Sequence, residues 1–318
     1  MCGTCGCADG TAATLLNLQT GKETVMGQVG HGHEGEHVHA DGTRHSHDHD
    51  HSHGHDHDHG NDHIHADGTR HSHAHEPGAG HDPAHDNHHG EVIALETRIL
   101  AKNDALAEKN RAWFAGREIL ALNLVNSPGS GKTTLLERTI RDLKGELSIF
   151  VIEGDQATAN DGERIRAAGA PAVQVNTGAG CHLEVDMVAR GVAELRPPPG
   201  SVLMIENVGN LVCPALFDLG ERAKIVILSV TEGEDKPLKY PHMFRAAAVM
   251  ILNKIDLLPH VDFDVARCIA NARQVIPGIK IFQLSARACE GLDAWYGWLR
   301  QEIASAGDKA FAPVQAGR

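Results

Sequence analysis

Short apolar runs alternate with amphipathic stretches along the chain from about residue 91 onward. Apolar runs of about four to eight residues predict buried strands, and apolar residues spaced three or four apart predict helices. The predicted strands are 119–125, 147–152, 172–175, 201–205, 224–230, 247–252 and 279–284. The predicted helices are 91–114, 133–144, 184–194 and 291–303. Buried strands separated by helices indicate an α/β fold, in which helices cover both faces of a mostly parallel sheet.

Upstream of residue 91 this pattern stops, and residues 31–89 carry 21 of the 24 histidines. Within this tract, residues 37–49 recur as residues 63–75 with two differences. Because the tract has few large apolar side chains to offset the entropy of ordering, we expect it to be disordered without metal. The chain therefore divides into an N-terminal region (residues 1–30), a His-rich region (residues 31–90) and one α/β domain (residues 91–318).

The negative charge of the chain is concentrated in its first 90 residues, which hold 14 acidic and 3 basic side chains. Residues 91–318 hold 28 acidic and 26 basic side chains, so this domain is nearly neutral. A nearly neutral domain with few aromatic residues gives no reason to expect nucleic-acid binding. No run approaches the roughly 18 apolar residues of a membrane helix, and the N-terminus lacks a basic segment followed by an apolar one. We therefore expect a cytoplasmic protein without membrane association, whose seven cysteines are reduced.

Three cysteines lie within the first seven residues, at Cys2, Cys5 and Cys7. Closely spaced thiolates separated by glycines are typical of a soft, high-affinity metal site. Short Cys-x-x-Cys pairs also serve redox exchange, but those normally open a helix after a strand, and neither is predicted here. Residues 8–30 are interpreted as a flexible tether. Cys268 and Cys289 have no partner nearby in sequence and are expected in the core.

The His-rich region is predicted to bind several metal ions at once. Neutral imidazole suits Ni²⁺, Cu²⁺, Zn²⁺ and Co²⁺, so metal capacity should fall steeply below about pH 6. A solvated low-complexity tail or a purification tag is the alternative, although tags are uniform runs and this tract is interrupted and duplicated. The candidate ligands include His45, His47, His49, His51, His53, His55, His57 and His59.

A phosphate-binding loop follows the first predicted strand and opens the next predicted helix. Its candidate nucleotide ligands are Gly129, Ser130, Gly131, Lys132, Thr133 and Thr134. Backbone N–H groups of such a loop surround the β-phosphate, Lys132 supplies charge to the β- and γ-phosphates, and the Thr133 hydroxyl binds Mg²⁺. Asn126 stands where the simple pattern has its first glycine. Because asparagine tolerates left-handed backbone angles better than most residues, we expect the loop to be retained.

The base-recognition motif Asn253-Lys254-Ile255-Asp256 directly follows an apolar strand. The Asp256 carboxylate can accept hydrogen bonds from N1–H and the exocyclic amine of guanine, whereas adenine presents the wrong groups. Asn253 would orient the loop and Lys254 would lie over the base. After the next predicted strand, Ser285-Ala286 resembles the turn of GTPases that binds guanine O6 through the Ala286 N–H. The predicted nucleotide is therefore GTP.

The order of these motifs resembles that of the hydrogenase-maturation nickel-insertion GTPases, the HypB family. The resemblance includes the N-terminal cysteines, the His-rich region and segments 127–134, 153–155, 180–182, 206–214 and 253–256. It implies a GTPase with slow intrinsic turnover that uses Mg²⁺ and forms a homodimer promoted by GTP. It also implies delivery of Ni²⁺ to the large subunit of [NiFe]-hydrogenase together with a zinc-containing partner protein.

The resemblance also assigns roles to a second metal site and to the nucleotide switches. Cys181, His182 and Cys213 would bind Ni²⁺ or Zn²⁺ at the dimer interface. Without the family, two small buried cysteines and a histidine that caps a helix or lies on the surface would be the favoured interpretation. Asp155 is similar to the first switch acid of the family, near Mg²⁺ and the attacking water. Glu206 would hold Mg²⁺ through a water, and the Gly209 N–H would face the γ-phosphate. Lys132, Asp155 and Glu206 are thus the predicted catalytic residues.

Two alternative functions remain open at this point. Nickel GTPases for urease share the nucleotide pattern but typically carry Cys-Pro-His, whereas here Cys213-Pro214 is followed by Ala215. A nickel or zinc storage protein with a regulatory GTPase domain is the second alternative. Deleting residues 31–89 separates storage from delivery, because hydrogenase activity should survive under ample nickel if the tract only buffers metal.

Overall fold

The computed structural model describes residues 13–26, 37–38, 44–45, 62–64, 70–72, 87–155, 160–178 and 180–306. The chain forms two units, one of residues 1–28 with 93–318 and the other of residues 29–92. No helix in the described part of the chain has both the length and the apolar composition needed to cross a membrane.

The described strands and helices follow one another in the alternation expected of an α/β domain. The strands are β1 (Thr14–Asn17), β2 (Glu23–Val25), β3 (His37–Val38), β4 (Arg44–His45), β5 (Asp62–Ile64), β6 (Arg70–Ser72), β7 (Leu120–Asn126), β8 (Ile149–Asp155), β9 (Ala172–Asn176), β10 (Val202–Glu206), β11 (Ala223–Ser229), β12 (Val249–Asn253) and β13 (Lys280–Gln283). The helices are α1 (Asn87–Ala115), α2 (Lys132–Asp142), α3 (Asn160–Ala168), α4 (Val185–Leu195), α5 (Cys213–Leu216), α6 (Lys236–Lys239), α7 (Pro241–Ala246), α8 (Val265–Val275) and α9 (Leu292–Ala306), with a 3₁₀ helix at Ile255–His260.

Nine of these strands form one sheet in the order β13-β12-β11-β7-β10-β8-β9-β1-β2. The strands from β13 to β9 are parallel to their neighbours. Strands β1 and β2 extend the edge beyond β9 in the antiparallel sense. The predicted α/β fold with a mostly parallel sheet is confirmed, and its parallel strands place the loops after β7, β8, β10 and β12 at one edge.

Helices cover both faces of the sheet, which explains the nearly continuous apolar run of the central strand β7. Leu120, Leu122 and Leu124 belong to a core cluster that includes residues of α2 and α9. Ala121 belongs to a second cluster, which includes residues of α1 and α4. Because successive side chains of a strand point to opposite faces, and both faces are buried here, five of the seven positions of β7 are apolar.

The interpretation of residues 8–30 as a tether is wrong for the part that the structure describes, residues 13–26. Strand β1 pairs with β9 in a register that places Leu15 opposite Val175. Leu15 and Met26 are both 5% exposed and join the domain core, and Asn17 Nδ2 donates to Glu194 Oε1 at 2.7 Å. A four-residue strand carries too short a pattern to identify alone, because its pairing partner β9 lies far away in sequence.

The two copies of the repeat in the His-rich region each contain a short antiparallel pairing. His37 pairs with His45, and His63 pairs with His71, at equivalent positions of the two copies. The expectation that the region as a whole is disordered without metal stays a prediction. An Asp-Gly pair lies between the two strands of each copy, and such pairs favour tight turns.

Two smaller expectations are corrected by the structure. The sequence pattern did not predict α3, because only Gly162, Ile165 and Ala168 of this helix are buried and its apolar face is narrow. Cys268 lies in α8 and is fully buried, as expected. Cys289 is exposed and lies in a turn at φ 63°, so its assignment to the core was wrong.

Candidate nucleotide and metal site

The phosphate loop joins the end of β7 to the start of α2. Gly129 and Gly131 have φ values of 79° and 89°, which favour glycine. Gly131 also lies close to the base-recognition loop, since a Cβ at this position would be 2.6 Å from Asn253 Nδ2. The loop lines an open pocket of about 460 Å³ together with Lys132, Thr133 and Thr134.

Asn126 supports the phosphate loop with its side chain. The residue ends strand β7, so the left-handed backbone angles that asparagine tolerates are not used here. Its Nδ2 donates to Ser127 O at 2.6 Å and to Ser130 Oγ at 2.8 Å. Where the pattern has its first glycine, the Asn126 amide therefore stabilises the loop through these two hydrogen bonds.

Glu206 lies beside the two polar side chains that begin α2. Thr133 Oγ1 donates to Glu206 Oε1 at 2.8 Å, and Lys132 Nζ lies 3.7 Å from the same oxygen. Glu206 is 1% exposed. Burial raises its pKa, and the Lys132 ammonium opposes that rise. Glu206 Oε2 has no hydrogen-bond partner among the described residues. A hydroxyl beside a buried, partly unpaired carboxylate suits a hydrated Mg²⁺ ion.

Glu153 lines the phosphate pocket, a role that its sequence motif did not predict. Parallel pairing of β8 with β10 places Glu153 directly opposite Glu206. Glu153 is 2% exposed, and its Oε2 lacks a hydrogen-bond partner in the described part of the chain. Burial raises the pKa of Glu153 to about 9, and the carboxyl groups of Glu206 and Asp155 add to the rise. The sequence feature that could have identified Glu153 is an acidic residue inside an apolar strand. Its place in the site depends on the strand order, which the sequence pattern does not give.

We expect the variant Glu153→Gln to be more stable than the parent in the absence of metal and nucleotide. The pKa of Glu153 lies near 9 in the folded protein and near 4.5 ordinarily, so the unfolded chain ionises first as pH rises. The parent therefore loses stability between these two pH values, whereas glutamine does not titrate. The variant should gain roughly 1–3 kcal/mol at pH 7.5 and less at pH 5. Urea unfolding at several pH values measures this, with the exposed Glu163→Gln as control; a pH-independent difference would contradict it.

A second pocket, of about 250 Å³, adjoins the phosphate pocket at the base-recognition loop. It is lined by Asn253, Lys254, Asp256 and Ala286, among others. Asp256 Oδ1 is buried without a hydrogen-bond partner among the described residues, as an acceptor reserved for a ligand would be. Lys254 Nζ donates to Gly129 O at 2.7 Å and so joins this pocket to the phosphate loop.

Asn253 holds the three loops of the nucleotide site together. Its Nδ2 donates to Ser130 O at 2.9 Å. Its Oδ1 accepts from Lys254 N at 2.8 Å and from Ala286 N at 3.1 Å. The Ala286 N–H that the sequence assigns to guanine O6 therefore already has an acceptor, and it must be shared or released when a base binds. Ser285 is fully buried, and its Oγ accepts from Ala288 N at 2.9 Å.

The structure brings Cys181, His182 and Cys213 together, with their ligand atoms all within 4.8 Å of one another. The His182 ring stacks on Phe217 at 4.1 Å, and its Nε2 has no hydrogen-bond partner in the part of the chain described. Burial and the nearby Lys224 ammonium lower the pKa of His182 to about 4. At neutral pH the imidazole is therefore neutral and available as a ligand. Two thiols and a neutral imidazole suit Ni²⁺ or Zn²⁺.

Two further predicted residues, Asp155 and Gly209, lie at the phosphate pocket. Asp155 ends β8 and lines the phosphate pocket. Gly209 lies against the phosphate loop, since a Cβ there would be 3.4 Å from Pro128 Cγ. His45 is described only as part of β4. The remaining predicted metal ligands lie outside the described residues: Cys2, Cys5, Cys7, His47, His49, His51, His53, His55, His57 and His59.

Comparison with known proteins matches this geometry to one family. The profile described as "CobW/HypB/UreG, nucleotide-binding domain" matches residues 120–283. A hydrogenase maturation factor HypB from Rhizobium leguminosarum bv. viciae is 62% identical over 213 residues, which cover 67% of this chain and 71% of the relative. The chain belongs to the HypB family. HypB from Escherichia coli K12 is 59% identical over 211 residues, 66% of this chain and 73% of the relative.

Solved HypB structures share this fold. The crystal structure of HypB from Helicobacter pylori in complex with nickel has a TM-score of 0.61 and 35% identity, covering 66% of this chain and 99% of that chain. The crystal structure of HypB from Archaeoglobus fulgidus has a TM-score of 0.60 and 38% identity, covering 64% of this chain and 99% of that chain. HypB membership makes this chain a hydrogenase maturation factor of a GTPase family. The segment that matches the profile contains both the phosphate loop and the Cys181, His182 and Cys213 cluster.

Proposed function

We propose that this protein is a GTP-hydrolysing metallochaperone that binds and stores nickel and assists its GTP-dependent insertion into the large subunit of [NiFe]-hydrogenase. One observation carries the proposal: the chain runs from Glu206, the last residue of β10 and part of the phosphate pocket, to Cys213, in the metal cluster, within eight residues. A nucleotide that moves this segment must also move a metal ligand. The nickel complex of H. pylori HypB supports the choice of metal.

The nucleotide chemistry follows from the residues that line the two pockets. Lys132 would bind the β- and γ-phosphates, Asp256 would accept from guanine, and Thr133, Asp155 and Glu206 would hold Mg²⁺ directly or through water. When bound, Mg²⁺ neutralises charge on the phosphates. Asn210 stands beside Gly209, and its Oδ1 accepts from Val212 N at 2.7 Å, so it is occupied within the loop. Without a free water-positioning amide there, intrinsic hydrolysis should be slow.

Nickel is the cargo in this proposal, and zinc is a competitor for the same ligands. Thiols must lose a proton to bind metal, whereas His182 is already neutral at physiological pH. The His-rich region would store nickel, Cys2, Cys5 and Cys7 would hold one ion tightly, and the domain cluster would exchange it. A storage function does not require a metal cluster beside the segment from Glu206 to Cys213. GTP-dependent delivery does require such a cluster, because the nucleotide must control release of the metal.

The proposed partners are a second copy of this chain, a zinc-containing nickel-insertion protein and the hydrogenase large subunit. Val212 and Leu216 flank Cys213 and are 58% and 41% exposed. Apolar side chains beside a partly exposed ligand suit a contact that completes the metal site. GTP would promote the homodimer by ordering the same segment.

The test is a nickel titration of full-length protein with Cys2, Cys5 and Cys7 replaced by serine. Buffered free Ni²⁺ and thiolate-to-nickel absorption report on the remaining thiols, because histidine sites lack that absorption. Nickel affinity with GDP and with a non-hydrolysable GTP analogue should differ by about 5- to 150-fold.

Cys213→Ser should abolish this absorption, and the exposed Cys289→Ser serves as its control. Equal affinities in both nucleotide states, or a Cys213→Ser variant that binds like the parent, would contradict the proposed function. Truncation at residue 90 is unsuitable for this test, because it would remove β1 and β2 from the sheet.

A further inference from the structure

Asn207 follows directly after β10 and joins three parts of the nucleotide and metal site. Its backbone oxygen accepts from Lys132 Nζ of the phosphate loop. Its Oδ1 accepts from Leu183 N at 3.0 Å, and its Nδ2 donates to Asn123 Oδ1 at 3.3 Å. The residue is 1% exposed, so water cannot easily replace these partners. One buried residue therefore contacts both the phosphate-binding lysine and the segment that carries the metal ligands.

Leu183 is the residue immediately after the metal ligands Cys181 and His182. It is fully buried. Its side chain lies against the end of β8, since a Cβ on Gly154 would be 2.7 Å from Leu183 Cγ. Its N–H is held by Asn207. The metal-binding segment is thus held between the two strands whose ends form the phosphate pocket, and a shift of either strand end must reach His182.

We propose that Asn207 is a positioning residue that couples occupancy of the phosphate pocket to the Cys181 and His182 side of the metal cluster. This inference rests on the proposed function and names the residue that performs its regulation. Cys213 already lies on the same segment as Asn207. The Asn207 side chain would therefore extend control from one metal ligand to all three.

The physical step is a change of partner for Lys132. A γ-phosphate that takes the Lys132 ammonium removes a charged donor from the Asn207 carbonyl, which is buried and must find another donor or move. Because Oδ1 of the same residue holds Leu183 N, that movement is passed to the backbone beside His182. Coupling between the two sites is reciprocal, so bound metal must alter nucleotide affinity by the same factor.

The experiment uses the full-length protein with serine at Cys2, Cys5 and Cys7, with Ni²⁺ as the probe. The measured quantity is the ratio of nickel affinities with GDP and with the GTP analogue. Asn207→Ala removes the acceptor for Leu183 N and should reduce this ratio by about 2- to 30-fold while nickel still binds. Asn123→Ala is the matched control: it removes the partner of Asn207 Nδ2, leaves the Leu183 contact, and should keep the ratio of the parent.

Asn207→Asp provides a second variant, since alanine at a buried position can prevent folding. Aspartate keeps an acceptor oxygen for Leu183 N, so this variant should retain the ratio of the parent. An unchanged ratio in a folded Asn207→Ala protein would overturn the inference and leave the proposed function standing. If Asn207→Ala fails to fold and Asn207→Asp still binds GDP, the aspartate variant decides the test. A nickel-affinity ratio below that of the parent in this variant would then overturn the inference. A parent ratio of one would overturn both.

Discussion

Lys132→Ala is expected to abolish measurable GTP hydrolysis. The ammonium group is buried beside Glu206 and contacts the Asn207 carbonyl, at the pocket where the phosphates of a nucleotide would bind. Removing a positioned cation from a phosphoryl-transfer site costs a factor of about 100 to 1,000 or more, because charge developing on the phosphates loses its partner. Phosphate release at saturating Mg²⁺ and GTP measures the effect.

The Lys132 variant needs a control for stability, because this lysine also compensates a buried charge. In the parent, the Lys132 ammonium opposes the rise that burial causes in the pKa of Glu206. Without this lysine, the pKa of Glu206 rises further. Lys132→Gln retains much of the side-chain volume without the charge, and Lys280→Ala alters an exposed lysine on strand β13. Hydrolysis should be lost in both Lys132 variants and kept in the control. Turnover equal to that of the parent in a folded Lys132 variant would refute the phosphate-loop assignment.

Asp256→Asn is expected to reduce GTP affinity by about 10- to 150-fold, the equivalent of one charged hydrogen bond. The buried Oδ1 without a partner lies in the base pocket, where guanine presents N1–H and an exocyclic amine. Asparagine keeps one acceptor but replaces the other with an amide donor, which faces the guanine amine. Xanthine carries a carbonyl at that position, so the variant should bind the xanthosine nucleotide better than the parent does.

Competition binding of GTP, ATP and xanthosine triphosphate measures this change of preference. Asp262→Asn, a few residues downstream and exposed, is the matched control and should keep the preference of the parent. Unaltered GTP affinity in Asp256→Asn, with the control also unaltered, would show that the base is recognised elsewhere.

The sequence predicted the parts of this protein whose chemistry is contiguous along the chain. Residues 126–134 and 253–256 each place all of their functional groups on one loop, so spacing alone was enough to identify them. The buried parallel strands were also recognisable, because burial on both faces makes most of their positions apolar. Strands whose identification depends on pairing were missed: β1 has only four residues, and its partner β9 lies more than 150 residues away.

The tertiary structure decided which distant residues share a site. Strand order places Glu153 opposite Glu206, and burial, together with this proximity, raises the pKa of Glu153. Cys213 is 31 residues from His182 in sequence, yet their ligand atoms lie within 4.8 Å of each other because the loops after β9 and β10 meet at one edge of the sheet. The sequence by itself determined the nucleotide motifs and the fold class, since these depend on local pattern. The metal cluster was expected only from the family resemblance, because its ligands lie far apart in sequence. The coupled acids and the Asn207 contacts depend on long-range packing, which local pattern does not encode.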